Sequence, residues 1–173
     1  DAAGRLVRTI AYADEVGGND LANRNNLQNK LATLTDFRDT KMVYDKANRL
    51  RFTVDAMGYV TESRYDALSR VTEQLAYQQL QVSGTKDEDQ MRIATLEHQA
   101  SARSTQTAYD NAGRVTQVTD ALGHSESYSY YANGLKQSFT NKMGHTWDYS
   151  YDKAGRLTQE TSPTVTVTRR LSD

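Results

Sequence analysis

The 173-residue chain contains no cysteine, which excludes disulfide bonds and thiolate metal sites. It has no run of 18 apolar residues, so no transmembrane helix is predicted, and no signal-peptide pattern is present. Neither charge sign dominates, since 21 Lys and Arg stand against 22 Asp and Glu. That balance argues against a nucleic-acid partner. Glycine-rich phosphate loops and a Gly-x-Ser-x-Gly elbow are also missing.

Apolar residues are scarce as well. They make up 37% of the chain, and the mean hydropathy is −0.78. Both values are low for a compact globule. They fit better with a thin sheet in which the 11 tyrosines supply most of the apolar surface.

The chain does contain a recurring unit, Tyr-Asp-x-x-Gly-Arg. It occurs at 109–114 and 151–156, with close variants at 44–49 and 65–70, and the chain opens on the same unit without its tyrosine. Tyr44 and Tyr65 are 21 residues apart, and so are Tyr109, Tyr130 and Tyr151 in succession. A fixed period indicates an array of equivalent supersecondary units. The residues assigned to this structural motif are Tyr44, Asp45, Arg49, Tyr65, Asp66, Arg70, Tyr109, Asp110, Gly113, Arg114, Tyr130, Gly134, Tyr151, Asp152, Gly155 and Arg156.

The Asp-x-x-Gly core of the unit predicts a type I turn, with Asp first and Gly fourth. The glycine supplies the positive φ of a bulged hairpin loop, so we expect positive φ at Gly113, Gly123, Gly144 and Gly155. Asn48 and the less suitable Ser69 replace that glycine in two units. Further turns of this kind lie between the units, at 55–58, 120–123 and 141–144, so turns recur about every ten residues, as in an antiparallel meander.

Between turns the residues alternate. Leu50, Phe52 and Val54 share one face of a predicted strand, and Arg51 and Thr53 share the other. Period two predicts strands with one buried and one wet face. We therefore predict an all-β antiparallel hairpin array of ten to twelve strands. The motif tyrosines are expected on one face, mostly buried, where they pack structurally; the alternative is that they stack on sugars.

The chain also has a longer repeat of 65 residues. When the sequence is shifted by 65 positions, Arg5 aligns with Arg70 and Tyr44 with Tyr109 without gaps. We interpret residues 1–173 as a single array with two equivalent helical inserts, at about 13–40 and 78–105. Helical spacing supports this, as do acidic residues before the second insert. Each helix is expected to cover the sheet or its edge, or alternatively to bind a partner. The apolar residues at helical spacing are Leu27, Leu31 and Leu34, and Ile93, Leu96 and Ala100.

Nothing in the sequence supports an enzyme. His124 and His145 follow turn glycines and stand where another repeat has Tyr59, so they are strand residues rather than metal ligands. His98 is expected to be solvated in the second helix. The Asp–Arg pairs recur along the chain, whereas a catalytic pair occupies one site with its own environment. The pairs are therefore not predicted to be catalytic. We predict no catalytic residue, no cofactor and no metal.

The Tyr-Asp-x-x-Gly-Arg units resemble the RHS or YD-repeat family, which includes bacterial Rhs toxins, insecticidal toxin complex components and teneurins. The resemblance implies a curved sheet strip, part of a β-shell that encloses a C-terminal toxin domain. It also implies a secreted or cell-surface bacterial protein whose partners are its own neighbouring repeats and the enclosed domain. No stretch matches the family's aspartyl self-cleavage segment, so no catalytic residue is carried over. We expect the chain to be a fragment of a longer array.

Two functions remain open. One is a structural wall module of a toxin-delivery protein, and the other is a surface adhesin module that binds carbohydrate. Nucleic acid is not expected as a partner, and no membrane span is expected.

Overall fold

The computed structural model describes residues 1–12, 24–33 and 37–164. The chain divides into two compact units, Asp1–Arg103 and Ser104–Asp173. The first unit contains, in chain order, β1 (Arg8–Tyr12), α1 (Arg24–Thr33), β2 (Phe37–Tyr44), β3 (Leu50–Val54), β4 (Tyr59–Tyr65), β5 (Val71–Gln81), α2 (Glu88–Leu96) and a 3-10 helix (Gln99–Ser101). The second contains β6 (Arg103–Tyr109) except for its first residue, and then β7 (Val115–Thr119), β8 (Ser125–Tyr130), β9 (Lys136–Thr140), β10 (Thr146–Tyr151) and β11 (Leu157–Thr161).

Within each unit the strands lie side by side in sequence order and pair antiparallel. This confirms the all-β hairpin array with two short helices, and the described part of the chain holds 11 strands, within the predicted ten to twelve. The single array over 1–173 and its 65-residue compound repeat stay predictions. Much of the first insert, Leu34 included, lies outside the described residues.

The turns form as their sequences predict. The glycines at 113, 123, 144 and 155 have φ of +82°, +83°, +80° and +78°, which confirms the expected left-handed position. Asn48 and Ser69 both have φ of +62° at the equivalent place. Opposite every motif tyrosine the next strand carries one extra residue, as a bulge requires.

Replacing Gly155 with alanine is expected to lower the free energy of unfolding by about 1 kcal/mol, because an L-residue is strained at this φ. A Cβ there would lie 3.7 Å from Leu135 Cδ1, an ordinary contact, so the backbone alone carries the cost. Gly58→Ala should cost more, since its Cβ would also come within 3.1 Å of the Val82 carbonyl oxygen. Urea unfolding of the two variants checks both; a Gly155→Ala protein as stable as the wild type would contradict the argument.

The buried apolar core of the described residues lies in the first unit, on the face of β3–β5 that α2 covers. Its members are Phe52, Val54, Val60, Leu75, Tyr77, Leu80, Val82 and Met91. Met91 of α2 is fully buried, and Thr95, one turn later, is 4% exposed. The helix begins with a capping box: Gln90 N–H donates to Asp87 Oδ1 (2.9 Å) and Asp87 N–H donates to Gln90 Oε1 (3.1 Å). The predicted acidic helix start is therefore confirmed.

The face of α2 that packs on the sheet differs from the prediction. Ile93 and Leu96 were expected to pack, but they are 69% and 66% exposed, and Ala100 is exposed as well. Met91 and Thr95 face the sheet instead, with Ala94 partly buried beside them. Helical spacing shows which residues share one side of the helix, but not which side faces the sheet. The residues of the strands decide which side is buried.

The second unit has two unlike faces. Tyr128, Phe139 and Trp147 lie opposite one another on neighbouring strands, with ring centroids 5.3 and 5.5 Å apart. The other face carries paired hydroxyls, Thr119–Ser125 (2.9 Å), Ser129–Ser138 (2.7 Å) and Thr140–Thr146 (2.8 Å). The main apolar side chains of this unit are thus aromatic and half-buried, and they do not form a closed core.

Candidate functional site: the tyrosine–arginine clamp

Each intact motif turn is held by its aspartate. In the turn that begins at Asp110, Oδ1 accepts the backbone N–H groups of Ala112 and Arg114, both at 2.9 Å. The Gly113 N–H donates to the Asp110 carbonyl at 3.0 Å, which closes the turn. Asp110 Oδ2 accepts from Arg114 Nε at 2.7 Å. The same four bonds recur in the turns that begin at Asp45, Asp66 and Asp152.

The arginine of one turn then reaches the tyrosine of the next. Its guanidinium lies over the ring, 4.8 Å from the centroid for Arg49 on Tyr65 and 4.6 Å for Arg114 on Tyr130. The same arginines donate through Nη1 to the carbonyl after that tyrosine, at 3.1 and 3.2 Å. We call this arrangement the clamp. Arg5 makes the ring contact alone, 4.9 Å from the centroid of Tyr44, and its Nη1 donates to Asn48 Oδ1 instead of a carbonyl.

The tyrosine completes the clamp through its hydroxyl. Tyr65 Oη donates to the Leu50 carbonyl at 2.7 Å, and Tyr130 Oη donates to the Val115 carbonyl at 2.8 Å. Each acceptor is the residue directly after the clamping arginine. The rings of Tyr44, Tyr65, Tyr109, Tyr130 and Tyr151 are half-buried. The sequence predicted a turn-forming aspartate and an arginine in the neighbouring strand, and the structure adds that the arginine also contacts the next repeat.

The turn carboxylates have lowered pKa values. Backbone N–H donation from Arg70 holds the pKa of Asp66 below 3.8, and the Arg70 guanidinium adds to this against a smaller effect of burial. Donation from the backbone and side chain of Arg156 lowers the pKa of Asp152 in the same way. For Asp45, burial raises the pKa, yet donation from Arg49 and Ala47 outweighs it. These aspartates are therefore ionised structural acceptors rather than proton donors at neutral pH.

Because the pKa values of these aspartates are lowered, the free energy of unfolding should depend on pH in the acidic range. The stabilisation is fully present above the unfolded pKa near 3.8 and is lost as the pH falls through the lower folded value. In Asp66→Asn the turn should persist, because Asn141 already accepts N–H groups from Met143 (2.9 Å) and His145 (3.0 Å) in its own turn. The variant should thus be less stable than wild type at pH 7, and the gap should close below pH 3.8. Urea unfolding across pH 2–7 measures this; a gap that stays constant would contradict it.

One motif turn departs from the pattern. In the unit that begins at Tyr130, Tyr131 replaces the aspartate and Leu135 replaces the arginine. The Gly134 N–H still donates to the Tyr131 carbonyl at 2.9 Å, so the turn keeps its shape. Tyr131 contacts Tyr151 edge to face, with ring centroids 6.3 Å apart and planes at 90°. Tyr151 thus has an aromatic neighbour where Tyr65 and Tyr130 have a guanidinium.

The remaining motif residues are placed as follows. Gly134 has φ of +89°, in line with the other turn glycines. Arg70, Tyr109 and Asp110 make contacts beyond those given above. Arg156 bonds Asp152 but stacks on no tyrosine within the described residues, and its side chain is 81% exposed.

Arg114 and Arg156 form a matched pair for testing the clamp. Arg114→Ala is expected to lower the free energy of unfolding by about 1–2 kcal/mol, since it loses the ring contact and the bond to the Tyr131 carbonyl. Arg156→Ala loses only an exposed ion pair and should cost about 0.5 kcal/mol or less. Equal losses in urea unfolding would show that the cross-repeat contact adds nothing.

Sequence reasoning missed a second polar cluster, around Glu62. This carboxylate is 2% exposed, on the core face of β4 directly opposite Phe52. It accepts from Arg51 Nη2 and Tyr77 Oη, and from Arg64 Nε at 3.0 Å. Arg51 was expected on the wet face, but the bulge after Leu50 lets its guanidinium reach Glu62. The available signal was a glutamate at an alternating position next to Val60.

The cluster also connects the sheet to the helical insert. Burial first, and then the hydrogen bond to Glu62 and the charge of that carboxylate, raise the pKa of Tyr77 to about 12. When the side-chain oxygen and nitrogen of Gln99 are exchanged, the oxygen accepts hydrogen bonds from Arg64 Nη2 at 2.9 Å and Nη1 at 3.1 Å. The partners of Glu62 are thus two guanidinium cations and a phenol whose raised pKa keeps it neutral, as expected for a buried structural network.

All three histidines lie within the described residues. His124 and His145 are exposed, just after turn glycines. His98 was expected to be solvated, but it is half-buried at the start of the 3-10 helix, and its Nδ1 is buried without a partner among the described residues. Within residues 1–12, 24–33 and 37–164, no three His, Asp or Glu side chains lie close enough to hold a metal ion. Nor does any helix there have the length and apolar character for a membrane crossing.

Comparison with known proteins agrees with this geometry. The family model described as Teneurin YD-shell matches residues 40–172. The crystal structure of TcdB2-TccC3-Cdc42 is similar over 96% of this chain, with a TM-score of 0.66 and 15% sequence identity. That of TcdB2-TccC3 is similar over 96%, with a TM-score of 0.63 and 14% identity. Such identities show the fold alone. A search of curated proteins found no match.

The antiparallel hairpins and the repeated clamp define the class: a β-repeat scaffold whose recurring polar residues bond one another. The chain belongs to the RHS/YD-repeat family, matched through its YD-shell model over most of its length. It spans only 7–8% of the length of the two solved chains to which it is similar.

Proposed function

We propose that this chain is a structural YD-repeat module, part of the wall of a β-shell that encloses or presents a toxin domain in a secreted bacterial protein. The clamp is the observation that carries the proposal. Because Arg49 and Arg114 each bind the tyrosine of the following unit, the hairpin that carries the arginine is completed only by the next. Such nearest-neighbour coupling suits a long continuous wall.

The polar residues support a wall rather than a catalyst. The motif aspartates and arginines satisfy one another at 2.7 Å in every intact turn, which leaves them no free role in proton transfer. Glu62 is bonded to three side chains and buried. We therefore expect no turnover from this chain with ester, glycoside, peptide or nucleic-acid substrates. Turnover that disappears in His98→Ala would contradict the proposal.

The adhesin alternative has less support. A sugar ring would stack on an open tyrosine face, but guanidinium groups cover one face of Tyr44, Tyr65 and Tyr130. Carbohydrate binding by the tyrosine ladder stays a hypothesis.

Limited proteolysis of the full-length parent protein tests the wall proposal. We expect the region C-terminal to the array to resist protease in the wild type and to be cleaved faster in Arg49→Ala/Arg114→Ala, whose clamps are broken. Arg92→Ala/Arg156→Ala, which removes two exposed arginines outside any described clamp, is the matched control. Equal cleavage of the C-terminal region in all three proteins would overturn the proposal.

A further inference from the structure

The turn at Tyr130–Leu135 differs from the intact motif turns in its hydrogen bonds as well as in its residues. In the intact turns the backbone N–H of the arginine donates to the aspartate carboxylate, at 2.9 or 3.0 Å. Tyr131 offers no carboxylate, and the N–H of Leu135 donates instead to Asn133 Oδ1 at 3.1 Å. Because that bond spans two residues, it holds the Asn133 side chain forward across the peptide of Gly134.

We propose that Asn133 is a deamidation site, at which the backbone nitrogen of Gly134 displaces the side-chain amide as ammonia. The nitrogen loses its proton and bonds Asn133 Cγ, the Cγ–Nδ2 bond breaks, and ammonia leaves with that proton to give a succinimide. Water then opens the ring at either carbonyl, which yields aspartate or isoaspartate at position 133. Water is the only co-reactant, and the inference is independent of the wall role.

The residue that follows each asparagine selects this position. Asn133 is the single asparagine of the sequence that is followed by glycine. Glycine has no Cβ, so its nitrogen can approach a neighbouring carbonyl carbon without steric hindrance. Asn111 and Asn141 lie in turns of the same kind but are followed by alanine and lysine. The intact motif turns have an unreactive residue at the place of Asn133, namely Ala47, Leu68, Ala112 and Ala154.

The hydrogen bond to Asn133 Oδ1 assists the attack. Negative charge develops on this oxygen as the nitrogen adds to Cγ, and the Leu135 N–H already donates to it. A donor aimed at a developing oxyanion lowers the barrier to such an addition. The Asn133 side chain is also exposed, so water can reach the succinimide.

One bond opposes the reaction and makes it depend on opening of the turn. The Gly134 N–H donates to the Tyr131 carbonyl at 2.9 Å, so the nitrogen reacts only when this bond breaks. In the turn that begins at Asp110, the aspartate side chain accepts three further bonds, whereas here a side chain accepts one. Local opening should therefore be easier at this turn than at the intact turns.

The two products should affect the turn differently. Aspartate keeps an oxygen that can accept the Leu135 N–H. Isoaspartate lengthens the backbone by one carbon inside the turn, so this product should separate Tyr131 from Tyr151, whose ring centroids are 6.3 Å apart.

The test is incubation of the full chain at pH 8 and 37 °C, followed by brief tryptic digestion and mass spectrometry. Trypsin releases residues 115–136, in which Asn133 is the only asparagine, and places Asn111 and Asn141 in other peptides. A mass gain of about one dalton, with an isoaspartate fraction, should appear at Asn133 at least about tenfold faster than at the other two. Asn133→Ala should abolish the gain in that peptide.

Tyr131→Asp tests whether the turn, and not the Asn-Gly pair alone, controls the rate. It restores the usual carboxylate, which caps the turn, and should slow the reaction by about tenfold. Tyr131→Phe keeps the ring and adds no acceptor, so this matched control should react within about twofold of the wild-type rate.

Amide hydrogen exchange gives a second measurement on the unmodified chain. The Gly134 N–H should exchange faster than the Gly113 N–H, although their turn bonds are alike at 2.9 and 3.0 Å. The proposal is overturned if Asn133 reacts no faster than Asn111 or Asn141, if Tyr131→Asp and Tyr131→Phe react at the same rate, or if the two glycine amides exchange equally fast.

Discussion

Met91→Ala is expected to lower the free energy of unfolding by about 2–5 kcal/mol, because it opens a cavity in the only closed apolar cluster of the described residues. Met91 is fully buried between α2 and the β3–β5 face. Its neighbour on the same helix, Ile93, is 69% exposed, and Ile93→Ala should therefore cost about 0.5 kcal/mol or less.

Urea unfolding followed by circular dichroism measures both variants. The pair also tests the rotation of α2 about its axis, since the spacing of Ile93 and Leu96 in the sequence predicts the opposite order of effects. A larger loss from Ile93→Ala than from Met91→Ala would mean that α2 packs through its other face.

Glu62→Gln is expected to cost about 3–5 kcal/mol, since it removes the buried charge that Arg51 and Arg64 share. The amide cannot balance two guanidinium groups, and one of its oxygen acceptors becomes a donor that faces them. Glu97→Gln, an exposed position at the end of α2, is the matched control and should be close to neutral.

Tyr77→Phe is a milder change in the same hydrogen-bond network, and it provides the test if Glu62→Gln does not fold. It deletes the hydroxyl that Glu62 accepts and should cost about 1–3 kcal/mol, because the carboxylate loses a donor inside the core. Thermal and urea unfolding give the losses. If Glu62→Gln and Tyr77→Phe were both as stable as Glu97→Gln, the cluster would have no part in holding the sheet.

The clamp and the Glu62 cluster have different relations to the repeat. The clamp recurs in both units with nearly the same distance from guanidinium to ring centroid, 4.8 Å for Arg49 and 4.6 Å for Arg114. The Glu62 cluster occurs in the first unit, beside the helical insert. By the shift of 65, Phe52, Glu62 and Leu75 correspond to Gln117, Ser127 and Thr140, which are polar. At these equivalent positions the second unit thus has neither the apolar side chains nor the buried charge that α2 meets in the first unit.

Much of the fold could be predicted from the sequence, because its determinants are local. An aspartate followed three residues later by glycine specifies a turn through bonds within five residues, so the turns, their positive φ and the antiparallel order follow from short-range chemistry. The period of 21 then repeats that chemistry, and the family resemblance rests on the same residues. The acidic residues at 87–89 likewise marked the start of α2 correctly.

What the sequence could not determine depends on contacts between distant residues. The clamp joins an arginine to a ring face 16 positions later and to a carbonyl 17 positions later, and neither contact leaves a signature beyond the motif itself. The bulge after Leu50 changed the alternation on which the face of Arg51 had been predicted, and so joined it to Glu62. The rotation of α2 was decided by the apolar residues of β3 and β5. The sequence by itself determined the turns, because each satisfies its own backbone, whereas only the tertiary structure decided which side chains are buried, because burial is a property of the partners.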